Sequence, residues 1–251
     1  MTYKDKSLPD AIECIFKLLD KYKVLYWIDA GSLLKGVRDN TIMTSSDIDL
    51  AIHSDQINNA LSALKEIKLN GYRIQYNGSY PMLEDLITIF LPETVNKINS
   101  IDIYIYNRFE GDFIRRSFHK PLIDSKARYI FYSSKKIMSF GCLNNKPNSN
   151  FFIAIGRMLF YLYEQVGITQ WYMVPCKYFS NFTILNVHGR DFKVPLLCKE
   201  YLQFRYGSDW KTPIAREKWY PMWTKYENKM LINKKLSTLT SIKKYWIGMD
   251  L

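Results

Sequence analysis

Much of the structural information in this chain lies in the stretch Trp27-Ile28-Asp29-Ala30-Gly31-Ser32-Leu33-Leu34-Lys35-Gly36-Val37-Arg38 and in the segment Asp47-Ile48-Asp49-Leu50-Ala51-Ile52 that follows it. Side chains alternate between the two faces of a β-strand, so Asp47 and Asp49 are predicted to share one face while Ile48 and Leu50 point into the core. Two neighbouring carboxylates repel each other unless a cation lies between them, and their hard oxygen atoms suit Mg²⁺ or Mn²⁺. The pattern therefore predicts a divalent-metal site on a strand.

Two further features complete this predicted site. Asp102 lies in a second alternating strand, Ile101-Asp102-Ile103-Tyr104-Ile105, and is expected to join the two earlier carboxylates. Gly31 and Ser32 come after an apolar run over residues 24–28 and before two leucines, which predicts a strand-to-helix turn whose backbone N–H groups face a phosphate. A metal site beside a phosphate cradle indicates chemistry on a nucleotide or a diphosphate.

The periodicity of the first half predicts helices that alternate with strands. Apolar residues recur at helical spacing over residues 8–23, with Pro9 near the start, and a second helix is expected from about residue 55 to residue 67. The predicted strands are bounded by Gly, Pro or Asn and cover residues 24–28, 48–52, 72–76, 86–91 and 101–106. This order predicts an α+β fold, a mixed β-sheet flanked by helices.

The second half has a less regular pattern. Its predicted elements are a hairpin end over residues 109–117, a strand over 127–132, an apolar helix over 151–165, paired strands over 182–187 and 192–195, and a short helix around 199–204. We expect a catalytic core over residues 1–135. A helical and irregular part over residues 136–251 is expected to pack on that core rather than to form an independent domain.

Length and composition favour a globular protein with an anionic partner. The chain has 251 residues, of which 47% are hydrophobic, so it can bury a full core. The net charge of +11 favours partners such as nucleotide diphosphates, phosphorylated glycans, nucleic acid or an acidic membrane face. The first residues lack the apolar run of a signal peptide, and no stretch is long enough to span a bilayer, which predicts a soluble cytoplasmic protein.

The order of these motifs resembles the nucleotidyltransferase superfamily, whose members use three carboxylates and a divalent metal for phosphoryl-group chemistry. The string from Asp29 to Arg38, followed by Asp47-Ile48-Asp49, resembles the LicD family, which includes phosphocholine transferases and fukutin-type ribitol-phosphate transferases. Ser46 and Lys35 depart from the LicD pattern, which commonly has Trp and Gly at those positions. A second block resembles the C-terminal part of that family and contains Val194-Pro195, Glu200-Tyr201-Leu202, Arg205-Tyr206-Gly207, Asp209-Trp210 and Thr212-Pro213.

The LicD resemblance implies a reaction. A choline-, ribitol- or glycerol-phosphate type of group would pass from a CDP-activated donor to a hydroxyl of a cell-surface glycan or its lipid-linked precursor, and CMP would leave. A first alternative is a nucleotidyltransferase that transfers NMP from NTP to a small molecule or nucleic acid with release of pyrophosphate. A second alternative is a nucleic-acid-binding module, which the dispersed lysines and the absence of a known binding motif disfavour.

Each candidate site residue has an expected role in this chemistry. Asp47, Asp49 and Asp102 are the predicted catalytic residues and the predicted ligands of Mg²⁺ or Mn²⁺, and Asp102 is also the candidate acceptor of the attacking hydroxyl's proton. The predicted phosphate-binding residues are Gly31, Ser32, Lys35 and Arg38. For Arg38, a salt bridge with Asp39 or Asp29 is the structural alternative.

The cysteines and histidines are expected to be structural. Buried free thiols are predicted for Cys14, Cys142, Cys176 and Cys198, and a zinc site built from the last three is the alternative. Other candidate bases, for which structural roles are favoured, are His53, His119 and His188; the run that begins at His188 predicts a hairpin turn.

Two C-terminal features have structural and functional interpretations. Core packing is favoured over base stacking for the aromatic residues Trp210, Trp219, Tyr220 and Trp223. The basic tail predicts an amphipathic helix that docks on the protein or contacts the inner face of a membrane. Its lysines are Lys229, Lys234, Lys235, Lys243 and Lys244, and its apolar residues are Leu231, Ile232, Leu236, Leu239, Ile242 and Trp246.

Overall fold

The structure is a computed structural model that describes residues 8–43, 46–76, 85–95, 98–116, 168–213 and 231–235, together with residues 133, 155, 158 and 159. The chain divides into two compact units. The first is formed by residues 1–76, 85–115 and 173–230, and the second by residues 77–84, 116–172 and 231–251. Every predicted metal-binding and phosphate-binding residue belongs to the first unit. The predicted boundary after residue 135 lies outside the described residues and stays a prediction.

The first unit begins with two helix–strand pairs. Helix α1 (Asp10–Lys21) precedes strand β1 (Tyr26–Ile28), and helix α2 (Ala30–Asp39) precedes strand β2 (Asp47–His53). The stripe of α1 that faces the core consists of Ile12, Ile15, Phe16, Leu18 and Leu19. Asn40 directly follows helix α2, and its φ of 52° is the left-handed conformation that terminates many helices.

A third helix is followed by three strands. A 3₁₀ turn (Ser54–Gln56) precedes helix α3 (Ile57–Leu69), and the strands are β3 (Arg73–Tyr76), β4 (Leu86–Val95) and β5 (Ile98–Phe109). The predicted elements of this half are confirmed. Strand β5 extends beyond the predicted residue 106 because its last residues pair with strand β6 (Asp112–Arg116).

Five of these strands form a mixed sheet in the order β1-β2-β5-β4-β3. Strand β5 runs parallel to β2 and antiparallel to β4, and the β1–β2 and β3–β4 pairs are antiparallel. One face of the β2–β5 pair is entirely apolar and buried, and its residues are Ile48, Leu50, Ile52, Ile101, Ile103 and Ile105. The alternation of side chains therefore directs the three predicted carboxylates to the opposite face. The α+β class with a mixed sheet flanked by helices is confirmed.

The later elements are strand β7 (Ile168–Val174), the antiparallel pair β8 (Phe182–Val187) and β9 (Arg190–Pro195), helix α4 (Cys198–Tyr206) and strand β10 (Leu231–Lys235). His188 and Gly189 join β8 to β9 with φ values of 56° and 74°. Two successive positive φ values are typical of the type I′ turn, so the predicted hairpin at His188 is confirmed.

The second unit contains the antiparallel pair formed by residues 168–172 of β7 and β10. The prediction of a helix over the basic tail is wrong for Leu231–Lys235, because the backbone of these residues pairs with β7. The rest of the tail and the predicted strand over 127–132 lie outside the described residues. Of the predicted helix over 151–165, the described residues 155, 158 and 159 are helical. None of the helices in the described ranges is long and apolar enough to cross a membrane.

Candidate metal and phosphate site

Three carboxylates converge on the polar face of the β2–β5 pair. Asp47 and Asp49 lie on β2, and Asp102 lies on β5 directly opposite Asp49 in the parallel register. One carboxylate oxygen from each of the three residues lies within 4.8 Å of the others. Three hard oxygen donors at this spacing fit Mg²⁺ or Mn²⁺, because both ions prefer carboxylate ligands. The structure thus brings together the residues that were predicted to bind a metal.

Burial distinguishes Asp49 from the other two carboxylates of this group. Only 6% of Asp49 is exposed, whereas Asp47 and Asp102 are half-buried. Burial, together with the negative charges of Asp47 and Asp102, raises the pKa of Asp49 to about 8. The ionised site therefore favours a bound cation, which would offset the repulsion among the three carboxylates.

The first turn of α2 holds Asp49 in place. The Ser32 N–H donates to Asp49 Oδ2 over 3.1 Å, and the Asp49 N–H donates to Ser32 Oγ over 2.8 Å. A Cβ atom at Gly31 would lie 3.1 Å from the same Asp49 oxygen, so glycine allows this close approach. The predicted strand-to-helix turn is thus the first turn of α2. The Ser32 N–H, which the sequence predicts to face a phosphate, contacts the Asp49 carboxylate. Phosphate binding by Gly31 and Ser32 stays a prediction.

The two predicted phosphate-binding cations have different surroundings. Burial lowers the pKa of Lys35, and the negative charges of Asp47 and Asp49 act in the opposite direction, so its ammonium group lies within electrostatic range of both carboxylates. Arg38 instead forms a two-pronged ion pair with Asp39, with donor–acceptor distances of 2.9 and 2.8 Å. This pair is the structural alternative that the sequence suggested for Arg38.

A buried carboxylate that the sequence did not assign to the site lies directly before this turn. Asp29 is fully buried and accepts hydrogen bonds from Tyr106 Oη over 2.9 Å and from Tyr201 Oη over 2.8 Å. Arg205 Nη1 lies 3.5 Å from Asp29 Oδ2 and donates to Tyr201 Oη over 2.9 Å. The spacing of Tyr201 and Arg205, four residues apart on α4, is the sequence signal for two side chains that share a helix face.

This Asp29 network connects the two sequence blocks on which the family resemblance rests. The Asp29 N–H donates to the Asp49 carbonyl over 3.1 Å, and the Asp29 carbonyl accepts from the Leu33 N–H in the first turn of α2. Contacts from α4 therefore fix the residue at which β1 passes into α2 and, through that turn, the position of Asp49.

The described histidines make stacking or hydrogen-bond contacts within the protein. The His53 ring stacks on Phe113, with ring centroids 4.6 Å apart, and burial lowers the pKa of His53. His188 Nε2 accepts a hydrogen bond from the Ile42 N–H over 3.3 Å and lies 3.1 Å from Thr41 Oγ1. These contacts support the structural interpretation of both residues, and His119 lies outside the described residues.

The described cysteines are free thiols, as predicted, but they are not buried. Cys14 and Cys198 are half-buried, and Cys176 is exposed in a 3₁₀ turn after β7. The expectation of burial is therefore wrong for these three residues. Cys142, required by the zinc alternative, lies outside the described residues. Trp210 packs in the core as expected, whereas Trp219, Tyr220 and Trp223 are outside the described ranges.

Comparisons with known proteins give partial similarities. No protein-family model matches the chain. The chain is 32% identical over 123 residues to the uncharacterized protein RT0683 of Rickettsia typhi, a match that covers 47% of this chain and 38% of the relative. It is 28% identical over 131 residues to the uncharacterized protein RP689 of Rickettsia prowazekii, covering 51% of this chain and 43% of the relative. The chain thus spans about two fifths of the length of the curated relatives it matches.

A solved structure of an adenylyltransferase is similar along most of the chain. The lincomycin-bound lincosamide antibiotic adenylyltransferase LnuA superposes with a TM-score of 0.40 and 12% sequence identity. The superposition covers 88% of this chain and 98% of LnuA.

The buried position of Asp49 predicts a pH-dependent stability. Its pKa is raised in the folded state, so folding without metal favours the protonated form, and stability is lost as pH rises from about 4 to about 8. Asp49→Asn should remove this loss, so the variant should unfold at a higher temperature than the wild type at about pH 8 and at a similar temperature at about pH 4. Thermal unfolding of both proteins in EDTA across this range checks the prediction, and parallel profiles would contradict it.

Proposed function

We propose that this protein is a metal-dependent transferase that moves a phosphorus-containing group from a nucleotide donor to an acceptor hydroxyl. The observation that carries the proposal is the convergence of Asp47, Asp49 and Asp102 beside the first turn of α2. Transfer at phosphorus requires positioning and charge neutralisation more than covalent participation of the protein. A carboxylate cluster for a metal, a nearby lysine and a helix N-terminus supply these two requirements.

The three carboxylates would hold one or two Mg²⁺ or Mn²⁺ ions. A bound ion would neutralise phosphate charge and stabilise the entering and leaving oxygen atoms. Asp49 would serve as the fixed ligand, because Ser32 anchors one of its oxygens. Asp47 and Asp102 are half-buried, whereas Asp49 is almost fully buried.

The reaction that we propose first is nucleotidyl transfer. The acceptor hydroxyl oxygen would attack the α-phosphorus of a nucleoside triphosphate, the bond to the bridging oxygen would break, and pyrophosphate would leave with the bonding electron pair. The hydroxyl proton would pass to a carboxylate, for which Asp102 is the candidate. Lys35 would lie over the phosphates, and Arg38 would reach them only after leaving Asp39.

Two departures from the LicD pattern support this choice. Lys35 stands where the LicD pattern usually has Gly, and its added positive charge suits a triphosphate, which is more negative than a CDP-linked alcohol. Ser46 stands where that pattern commonly has Trp, and its hydroxyl donates to Asp47 Oδ1 over 3.1 Å. This position therefore offers a hydrogen-bonding group to the metal ligand instead of an aromatic wall for a donor.

A second candidate is transfer of a substituted phosphate from a CDP-activated alcohol, with release of CMP. One specific observation favours it: the two separated blocks that resemble the LicD family meet at Asp29, through Tyr201 and Arg205. In this reaction the acceptor hydroxyl would attack the phosphorus that bears the alcohol, and CMP would be the leaving group. A glycan or lipid-linked glycan would be the acceptor.

The leaving group distinguishes the two reactions. The wild type and Asp102→Asn would be incubated with Mg²⁺ and either the four nucleoside triphosphates or CDP-choline, CDP-ribitol and CDP-glycerol. A deproteinised cell extract and a crude glycan fraction would supply acceptors. Metal-dependent pyrophosphate that the variant fails to release would support nucleotidyl transfer. CMP would support the second candidate, and release of neither product from any donor would contradict the proposed function.

A further inference from the structure

Asp49 receives a second hydrogen bond from the strand that carries Asp102. Tyr104 Oη donates to Asp49 Oδ1 over 3.2 Å, while the Ser32 N–H donates to the other oxygen, Oδ2, over 3.1 Å. Each carboxylate oxygen is thus held by a neutral donor from a different element. Neutral donors fix the rotation of a carboxylate without cancelling the negative charge that a metal requires.

The sheet register explains how Tyr104 reaches Asp49. Tyr104 follows Asp102 by two residues, so both side chains lie on the same face of β5. The residue directly opposite Tyr104 on β2 is Ala51. A small side chain at that position leaves room for the phenol ring, and the diagonal neighbour Asp49 lies within reach of its hydroxyl.

A buried arginine packs against the Tyr104 ring. Arg115 is 3% exposed, and its guanidinium carbon lies 4.2 Å from the centroid of the Tyr104 ring and 5.9 Å from that of Tyr106. A cation over the face of a tyrosine is attractive, and the attraction grows when both groups are shielded from water. Arg115 therefore restrains the half-buried Tyr104 ring in the position from which its hydroxyl contacts Asp49.

We propose that Tyr104 is a positioning residue that orients the metal-binding carboxylate of Asp49, and that Arg115 holds Tyr104 in place. This inference rests on the proposed function, because it assumes a metal at the three carboxylates. Partners that orient metal ligands typically contribute about 10- to 100-fold to metal affinity. Tyr104→Phe removes one hydroxyl and keeps the ring, so it should weaken metal binding without disturbing the fold.

The test is a Mn²⁺ titration followed by the electron paramagnetic resonance signal of the free ion. Tyr104→Phe should raise the Kd for Mn²⁺ at least about ten-fold, and Arg115→Met should raise it by a smaller factor. Tyr26→Phe is the matched control. Tyr26 lies on β1, and its Oη also donates to a carboxylate, that of Asp20, over 3.0 Å. Its Kd should stay within about two-fold of the wild type.

The outcomes separate this inference from the proposed function. If the wild type binds Mn²⁺, Asp102→Asn does not, and Tyr104→Phe has the wild-type Kd, the role of Tyr104 is wrong and the metal site stands. If the wild type does not bind Mn²⁺, both proposals fail. Thermal unfolding of each variant gives the fraction of folded protein under the conditions of the titration. If the apparent Kd of Tyr104→Phe rises only because less of the variant is folded, the inference is overturned.

Discussion

Asp102→Asn is expected to lower the rate of nucleotide turnover by at least about a thousand-fold, equivalent to about 4 kcal/mol of transition-state stabilisation. The substitution keeps the shape of the side chain and removes one of the three negative charges that converge within 4.8 Å. It also relieves repulsion of Asp49, so the folded protein should be at least as stable as the wild type. Initial rates at saturating Mg²⁺ and the thermal unfolding midpoint would be measured together.

A matched variant separates this effect from a general loss of acidic charge. Asp55 is exposed in the 3₁₀ turn that follows β2, and Asp55→Asn changes the net charge by the same amount. Its rate should stay within about two-fold of the wild type, since an exposed charge outside the metal site is screened by solvent. Equal losses in the two variants, or a fully active Asp102→Asn, would remove Asp102 from the proposed chemistry.

Arg205→Met is expected to lower the free energy of unfolding by about 3 kcal/mol, because it leaves the buried Asp29 carboxylate without its cation. Arg205 is 6% exposed and Asp29 is fully buried. Water therefore cannot solvate the Asp29 carboxylate in place of the lost guanidinium group. Arg108 lies exposed on β5, and Arg108→Met should cost less than about 1 kcal/mol. Urea unfolding of the three proteins gives the comparison.

A double variant tests the cause of this loss. Asp29→Asn removes the buried negative charge, so adding Asp29→Asn to Arg205→Met should recover at least about 1 kcal/mol relative to the sum of the two single losses. Additive losses would show that Arg205 stabilises the protein through packing rather than through Asp29. In that case the link from α4 to the first turn of α2 would lose its electrostatic basis.

The face that carries Asp47 and Asp49 could be predicted because the residues that determine it are adjacent in sequence. Alternation along β2 separates Asp47 and Asp49 from the buried Ile48 and Leu50, and this separation needs no knowledge of the neighbouring strands. The sequence does not determine that Asp49 lies opposite Asp102, because the register between two strands depends on contacts between residues that are distant in sequence.

The Asp29 network is an example of what the sequence leaves open. Asp29 is 172 residues from Tyr201, and nothing in either local pattern indicates that the two side chains meet. The same limit applies to Leu231–Lys235, whose mixed lysine and apolar pattern predicted a helix. Pairing with β7 overrides that local preference.

The most direct test of the central claim is to locate the metal and the nucleotide. Crystals would be grown with Mn²⁺ and a non-hydrolysable nucleoside triphosphate analogue, and anomalous scattering would give the Mn²⁺ positions. The account predicts an anomalous peak among the carboxylates of Asp47, Asp49 and Asp102, with phosphate density beside it. Mn²⁺ and nucleotide bound elsewhere, with these three carboxylates free of metal, would contradict it.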